Sequence, residues 1–156
     1  MRILFVCLGN ICRSPTAEGV MRHKLRAAGL GDDVDVESAG TGGWHVGHPP
    51  DERATAVALA RGIELTGSAQ RFEPEHFGEF DLIVAMDRQN LADMRALAPP
   101  GETAAKLRML RDYDPEAAGE LDVPDPYYGG ERGFEQVLDI VDRCCDGLLA
   151  EISAAG

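Results

Sequence analysis

The stretch "VCLGNICRSPTAEG", residues 6–19, puts a cysteine, an arginine and a serine where an apolar run gives way to a helical pattern. Cys7 opens a short turn and Arg13 closes it, with five residues between them. A turn of this length can curl around one tetrahedral anion. Its backbone N–H groups point into the concavity, and the positive end of the following helix adds to them. Arg13 can take two anion oxygens with its planar fork. Cys7 then lies beneath the central atom. Cysteines beside a helix N-terminus and a cation ionise more readily than free thiols, so the same donors favour a nucleophilic thiolate. Ser14 adds a hydroxyl within reach of the sulfur. The residues themselves leave one bland alternative, a free cysteine packed in an ordinary strand-to-helix turn.

Other chemistries fail on spacing. Gly9 is not followed by the second glycine and lysine of a nucleotide-binding P-loop, and GxGxxG is absent from the turn. Four cysteines occur, Cys7, Cys12, Cys144 and Cys145, without the paired spacing of a zinc site. No metal or cofactor is expected. His23, His45, His48 and His76 are scattered and read as solvated or locally bonded. A nucleophile of this kind also needs an acid to protonate a poor leaving group. "VPDPYYGG" supplies the best candidate. Asp125 lies between two prolines, and Tyr127 and Tyr128 follow it as aromatic walls that could shield the acid. Taken alone, the same residues make an ordinary turn with two surface tyrosines.

The elements must hold these groups together. "RILFV" (2–6) is an apolar run of the kind found in a strand buried on both faces. A helix follows, with Ser14 as its expected cap, Pro15 in its first position and Gly29 or Gly31 as its stop. Further strands are expected at 34–40, 80–86 and 106–110. Helices are expected over 50–63, after Asp87 up to Pro99, and along a C-terminal stripe from Phe134 to Ile152. Residues 112–130 read as a long polar loop, the kind that tends to carry function. Alternating strands and helices predict an α/β fold with a parallel sheet. In such sheets ligands sit beyond the carboxyl ends of the strands, where Cys7 begins its turn.

The 156 residues suit a single domain spanning 1–156. The net charge of −12 argues against a nucleic-acid partner and requires strong local donors for any anion. No apolar run reaches membrane-spanning length and no signal peptide opens the chain, so a cytoplasmic protein with reduced thiols is expected.

These motifs, taken together, resemble the low-molecular-weight protein tyrosine phosphatases along essentially the whole chain. "VCLGNICRSP" is similar to the phosphate loop of that family. "SAGTGGWHVGHPPDERA" (38–54), "FDLIVAMDRQNL" (80–91) and "DVPDPYYGG" (122–130) follow in the family's order. The resemblance implies a three-layer flavodoxin-like phosphatase fold with four parallel strands in the order 2-1-3-4. It implies hydrolysis of phosphotyrosine through a phosphocysteine on Cys7, with Asp125 as acid and then base. Arg13 and the amides of Leu8, Gly9, Asn10, Ile11 and Cys12 would bind the phosphate, and Ser14 would support the thiolate. Asn10 would prop the loop, while Trp44, Tyr127 and Tyr128 would receive the substrate ring. The implied partner is a phosphotyrosine protein or peptide, a tyrosine kinase among them, with a monomer favoured. Family members can join Cys7 and Cys12 in a disulfide under oxidation.

Two relatives on the same fold offer other activities. Arginine phosphatases carry Thr where this chain has Ile11. Arsenate reductases need further cysteines mid-chain, and none lies between Arg13 and Cys144. A non-catalytic phosphate-binding module is the alternative outside enzymes. One departure stands out: many members place a His after the second helix to bond the loop Asn, and Gly67 occupies that place here. Ser38, Thr41 or water is expected to hold Asn10 instead.

Overall fold

The chain begins with a strand that lies in the middle of the molecule. The computed structural model describes residues 1–101, 105–127 and 130–155. β1 (Arg2–Cys7) pairs in parallel with β2 (Asp35–Gly40) on one side and β3 (Leu82–Ala85) on the other. β4 (Leu107–Met109) pairs with β3 and completes a parallel sheet of order β2-β1-β3-β4. The continuous apolar run of β1 has a plain cause: alternate side chains feed two cores. Ile3, Phe5 and Cys7 face α1 (Arg13–Ala27) and α5 (Glu131–Ala155), while Leu4 and Val6 face Phe72, Phe77, Phe80 and Met94. α2 (Glu52–Ala60) packs with the first group, and α4 (Arg88–Ala96) supplies Met94 to the second.

Capping chemistry sets most boundaries. Asp87 and Asn90 form a reciprocal capping box at the start of α4, and the Asp51 side chain accepts from Arg53 N to start α2. α1 ends on Gly29 at φ +76°, with Gly29 N donating to Arg26 O and Leu30 N to Leu25 O, the paired bonds of a left-handed glycine stop. The start of α1 differs from expectation. Cys12 is its cap residue and offers no side-chain cap, so Ser14 lies inside the first turn and Pro15 is its third residue. Pro15 still suits that turn, where an N–H has no helical partner. The hydroxyl of Ser14 is drawn away from capping by stronger partners in the loop.

Three further differences are local. The helix expected over 50–63 is confined to 52–60. A one-turn helix, α3 (His76–Glu79), was not expected, being too short for a periodic signal. The strand expected to reach 110 stops at Met109, and Leu110–Tyr113 form a 3₁₀ turn at the head of the predicted loop. The stripe of α5 is buried as expected from Phe134 through Leu148, and Cys144 joins Cys145 in the core.

Candidate active site

Cys7 is the last residue of β1, and its turn arches over the end of β2. Thr41 N donates to Cys7 O at 2.9 Å and Gly42 N to Leu8 O at 2.8 Å, so the loop rests on the residues following β2. The arch needs one left-handed residue, and Asn10 supplies it at φ +57°. Asn10 N then turns inward and donates to Cys7 Sγ at 3.2 Å.

Hydrogen-bond accounting fixes which way the protons point beneath the loop. Gln70 N donates to Asn10 Oδ1 at 2.9 Å, which settles the amide orientation. Asn10 Nδ2 must therefore donate, to Ser14 Oγ at 2.8 Å and Ser38 Oγ at 2.9 Å. The Ser38 hydroxyl spends its own proton on Glu18 Oε1 at 2.6 Å. Ser14, already accepting from Asn10, has its proton free for Cys7 Sγ at 3.0 Å, the competing Ala39 O being longer at 3.4 Å. Two donors thus converge on the sulfur, and the chain is anchored at a carboxylate that Arg22 holds at 2.8 Å. Of the expected tethers for Asn10, Ser38 is used, and the Thr41 hydroxyl makes no hydrogen bond. The main-chain N–H of Gln70 does the rest, and no sequence pattern marks it.

Arg13, the first residue of α1, is 3% exposed. Its Nη1 donates to Asp87 Oδ2 at 2.6 Å and to Val123 O at 3.0 Å. Asp87 divides its oxygens, one on Arg13 and the other capping α4 through Asn90 N at 2.7 Å. Burial disfavours the charge on Arg13, but Cys7, Asp87 and Asp125 outweigh it and raise the guanidinium above the usual arginine range. Nη2 is left to the pocket, 3.6 Å from Asp125 Oδ2.

Val123 N donates to Met86 O at 2.8 Å, which docks the Asp125 segment at the end of β3. Asp125 is 38% exposed on its side chain and accepts from Tyr127 N at 3.1 Å. Arg53 fastens the following residue: it donates to Tyr127 O at 3.1 Å, is held by Asp51, and stands 5.5 Å from the centre of the Tyr127 ring.

These groups enclose a pocket of about 380 Å³. Cys7, Leu8, Gly9, Ile11, Cys12 and Arg13 form its floor, with Trp44, Asp125 and Tyr127 around the mouth. Asn10 and Ser14 lie beneath the floor, and Tyr128 falls outside the described residues. Trp44 is 71% exposed, with its ring over Gly42, where any Cβ would collide with it. Burial pushes the Cys12 thiol up to about 12, with Asp51, Cys7 and Asp125 adding to the shift. Cys12 is therefore a neutral thiol beside Cys7. Residues not expected in the site are His45, which lines the pocket near Gly9, and Asp87, Gln70 and Glu18 behind it. Among the described residues no group of three or more His, Cys, Asp or Glu side chains is placed to hold a metal. Chemically, the arrangement presents a sulfur with two donors, an oriented arginine and a carboxyl group around one anion-sized space.

The family model described as low molecular weight phosphotyrosine protein phosphatase matches residues 2–155. A low molecular weight protein-tyrosine-phosphatase of Streptomyces coelicolor is 51% identical over 152 residues, covering 97% of this chain and 93% of the relative. The crystal structure of a protein tyrosine phosphatase from Entamoeba histolytica, with Hepes in its active site, superposes with a TM-score of 0.94 at 36% identity, covering 99% of this chain and 98% of that one. A drosophila arginine phosphatase superposes with a TM-score of 0.91 at 30% identity, covering 97% and 98%.

Proposed function

The chain belongs to the low molecular weight phosphotyrosine protein phosphatase family, and from that premise we propose that it hydrolyses phosphotyrosine in proteins through a phosphocysteine intermediate. Cys7 Sγ attacks phosphorus; the S–P bond forms as the P–O bond to the tyrosine ring breaks. Asp125 gives its proton to the departing phenolate. A water then attacks phosphorus, Asp125 takes the proton back, and the sulfur leaves as thiolate. Arg13 Nη2 and the loop amides of residues 8–13, apart from that of Asn10, which serves the sulfur, hold the equatorial oxygens as charge spreads over them. Asp87 keeps the Arg13 fork from turning away, since Nη1 is already committed to it at 2.6 Å.

The observation that carries this reading is the convergence of the Ser14 hydroxyl and Asn10 N on Cys7 Sγ, in a pocket that also holds Arg13 and Asp125. A thiol serving only to fill space needs no such donors. The same donation stabilises the leaving thiolate of the second step. An apolar Ile11 on the floor and the rings of Trp44 and Tyr127 at the mouth suit a phenyl group better than a guanidinium. The four free cysteines suit a reducing compartment, and no helix among the described residues is long and apolar enough to cross a membrane. We read the working compartment as the cytoplasm.

Turnover of an aryl phosphate tests the mechanism. Cys7→Ser should abolish turnover while the loop still binds phosphate. Asp125→Ala should lower turnover by about 10²–10⁴-fold for phenols that leave poorly. Acid quench during turnover should trap phosphate on Cys7. Full activity in Cys7→Ser would overturn the mechanism. Phosphotyrosine, phosphoserine and phosphoarginine peptides compared at equal concentration test the substrate class, and a preference for phosphoarginine would reverse the argument from Ile11.

A further inference from the structure

We propose that His45 and His48 form a two-imidazole clip for a borderline divalent transition metal, Zn²⁺ or Cu²⁺, on the rim of the active pocket. Their Nδ1 atoms face each other at 3.4 Å, with the ring centres 5.5 Å apart and the planes tilted by 54°. Two nitrogens bound to one tetrahedral ion at about 2.0–2.1 Å stand roughly 3.3–3.4 Å apart. The free side chains already hold that spacing.

The backbone holds both residues in one turn. His48 N donates to His45 O at 2.8 Å, closing a turn that needs Gly47 at φ +87°. The turn is clamped to Ala69 from both sides: Gly47 N donates to Ala69 O at 2.9 Å, and Ala69 N donates to His48 O at 2.8 Å. A ligand pair carried on such a turn loses little backbone freedom on binding. Imidazole donors select Zn²⁺ and Cu²⁺ over Mg²⁺ and Ca²⁺. Two protein ligands leave the remaining positions to water or to an oxygen of a bound substrate, so the metal exchanges readily.

Proton bookkeeping is simple. Without metal, one Nδ1–H donates to the other Nδ1. With metal on both Nδ1 atoms, that proton moves through solvent to the ring's Nε2, and no electron is transferred. The consequence for function follows from position. His45 lines the pocket, and its Cδ2 lies 3.1 Å from where a Cβ on Gly9 would be. The ion would narrow the entrance between His45 and the Tyr127 ring, whose centre is 6.0 Å from that of His45. Inhibition by the metal rests on the phosphatase reading above; binding does not.

Equilibrium dialysis of the full chain carrying Cys7→Ser removes the Cys7 thiol as a competing ligand, and Cys12 stays the same in every variant compared. One Zn²⁺ per chain should bind, at least tenfold more weakly in His48→Gln and His45→Gln, with Mg²⁺ failing to compete. Cu²⁺ electron paramagnetic resonance should show coupling to two imidazole nitrogens. In the protein with Cys7 intact, His48→Gln should keep metal-free aryl phosphate turnover within twofold and lose Zn²⁺ inhibition. Zn²⁺ binding unchanged in both Gln variants, or a copper spectrum without nitrogen coupling, overturns the clip. Inhibition persisting in His48→Gln overturns its link to the pocket. A histidine-dependent Zn²⁺ site in a chain without phosphatase activity would sink the functional reading and support the clip.

Discussion

Replacing Gly40 by alanine should disable the phosphate loop while leaving the fold intact. Gly40 ends β2 directly beneath the loop. A Cβ there would stand 2.8 Å from Leu8 O and 3.1 Å from both N and Cβ of Asn10. Regaining ordinary contact requires a displacement of roughly half an ångström. Gly40 cannot yield it, because its N donates to Gln70 O at 2.9 Å and its O accepts from Phe72 N at 2.7 Å. The loop must move instead, and Leu8 O would strain its bond from Gly42 N. Misplacement by 1 Å can cost about 10²-fold, so half of that predicts on the order of tenfold in kcat/KM, or about 1.4 kcal/mol of transition-state stabilisation. Overpacking adds about 1–3 kcal/mol of lost stability. The assay is kcat/KM on an aryl phosphate beside the affinity for vanadate, with urea unfolding to count folded protein. Both kinetic readouts should fall together. Gly43→Ala is the control, since its Cβ would meet only Arg71 side-chain atoms at 3.7 Å. Kinetics within twofold of the parent in Gly40→Ala would refute the claim that the loop rests on this residue.

Three further outcomes follow from the same geometry. Ser38→Ala strands one hydrogen of Asn10 Nδ2 and the Glu18 oxygen that accepted from the hydroxyl; urea unfolding should show a loss of about 1–3 kcal/mol, and a double cycle with Glu18→Ala should be clearly non-additive, additivity counting against a connected relay. Asp114 is buried between Arg111 and Arg143; burial opposes its ionisation, but hydrogen bonds from Arg143 and Glu116 N and the charges of Arg143 and Arg111 win, holding the carboxyl below the usual range. Its folded pKa is thus lower than its unfolded one, so its stabilisation is complete above about pH 4 and vanishes as pH falls through the folded value. Asp114→Asn should cost about 3 kcal/mol at pH 7, with the gap narrowing on acidification, and a gap independent of pH would contradict the ion-pair account. Finally, because burial holds the Cys12 thiol near 12, brief alkylation at neutral pH should label Cys7 and spare Cys12; mass mapping that finds Cys12 labelled first would reverse the assignment of the reactive thiol.

What could be read from the sequence was what local rules encode. The run from Arg2 to Val6 signalled a doubly buried strand because both its faces meet apolar side chains. A glycine stop at Gly29 or Gly31 was legible, and Gly29 takes it, because a left-handed residue makes that pair of closing bonds. Asp87 was legible as a cap, yet its second oxygen reaches Arg13 across 74 positions, and nothing local encodes that. Ser14 was misjudged for the same reason. A serine before a proline looks like a cap, and only the fold brings Asn10 and Cys7 close enough to claim its hydroxyl. The partner of Asn10 in place of the missing His was hidden in another way. It is a main-chain N–H on Gln70, a donor that every residue except proline carries. His45 passed as a surface histidine because its place depends on a turn fastened to Ala69.

Charge explains why the proposed acid lies where it does. Arg13 and Asp87 cancel each other at 2.6 Å, so the arginine alone does not make the pocket positive. A Cys7 thiolate and an Asp125 carboxylate would leave the site negative before a phosphate dianion arrives, in a chain whose net charge is already −12. The loop amides and the helix N-terminus offset part of this, being positive without carrying a net charge. Asp125 stands at the edge of the site, partly exposed to solvent and 3.6 Å from the Arg13 nitrogen that the phosphate would claim. Phosphate entering there would take the arginine contact away from Asp125. The carboxyl would then face solvent and the leaving oxygen, the two directions in which a group proposed to give a proton and take it back must open.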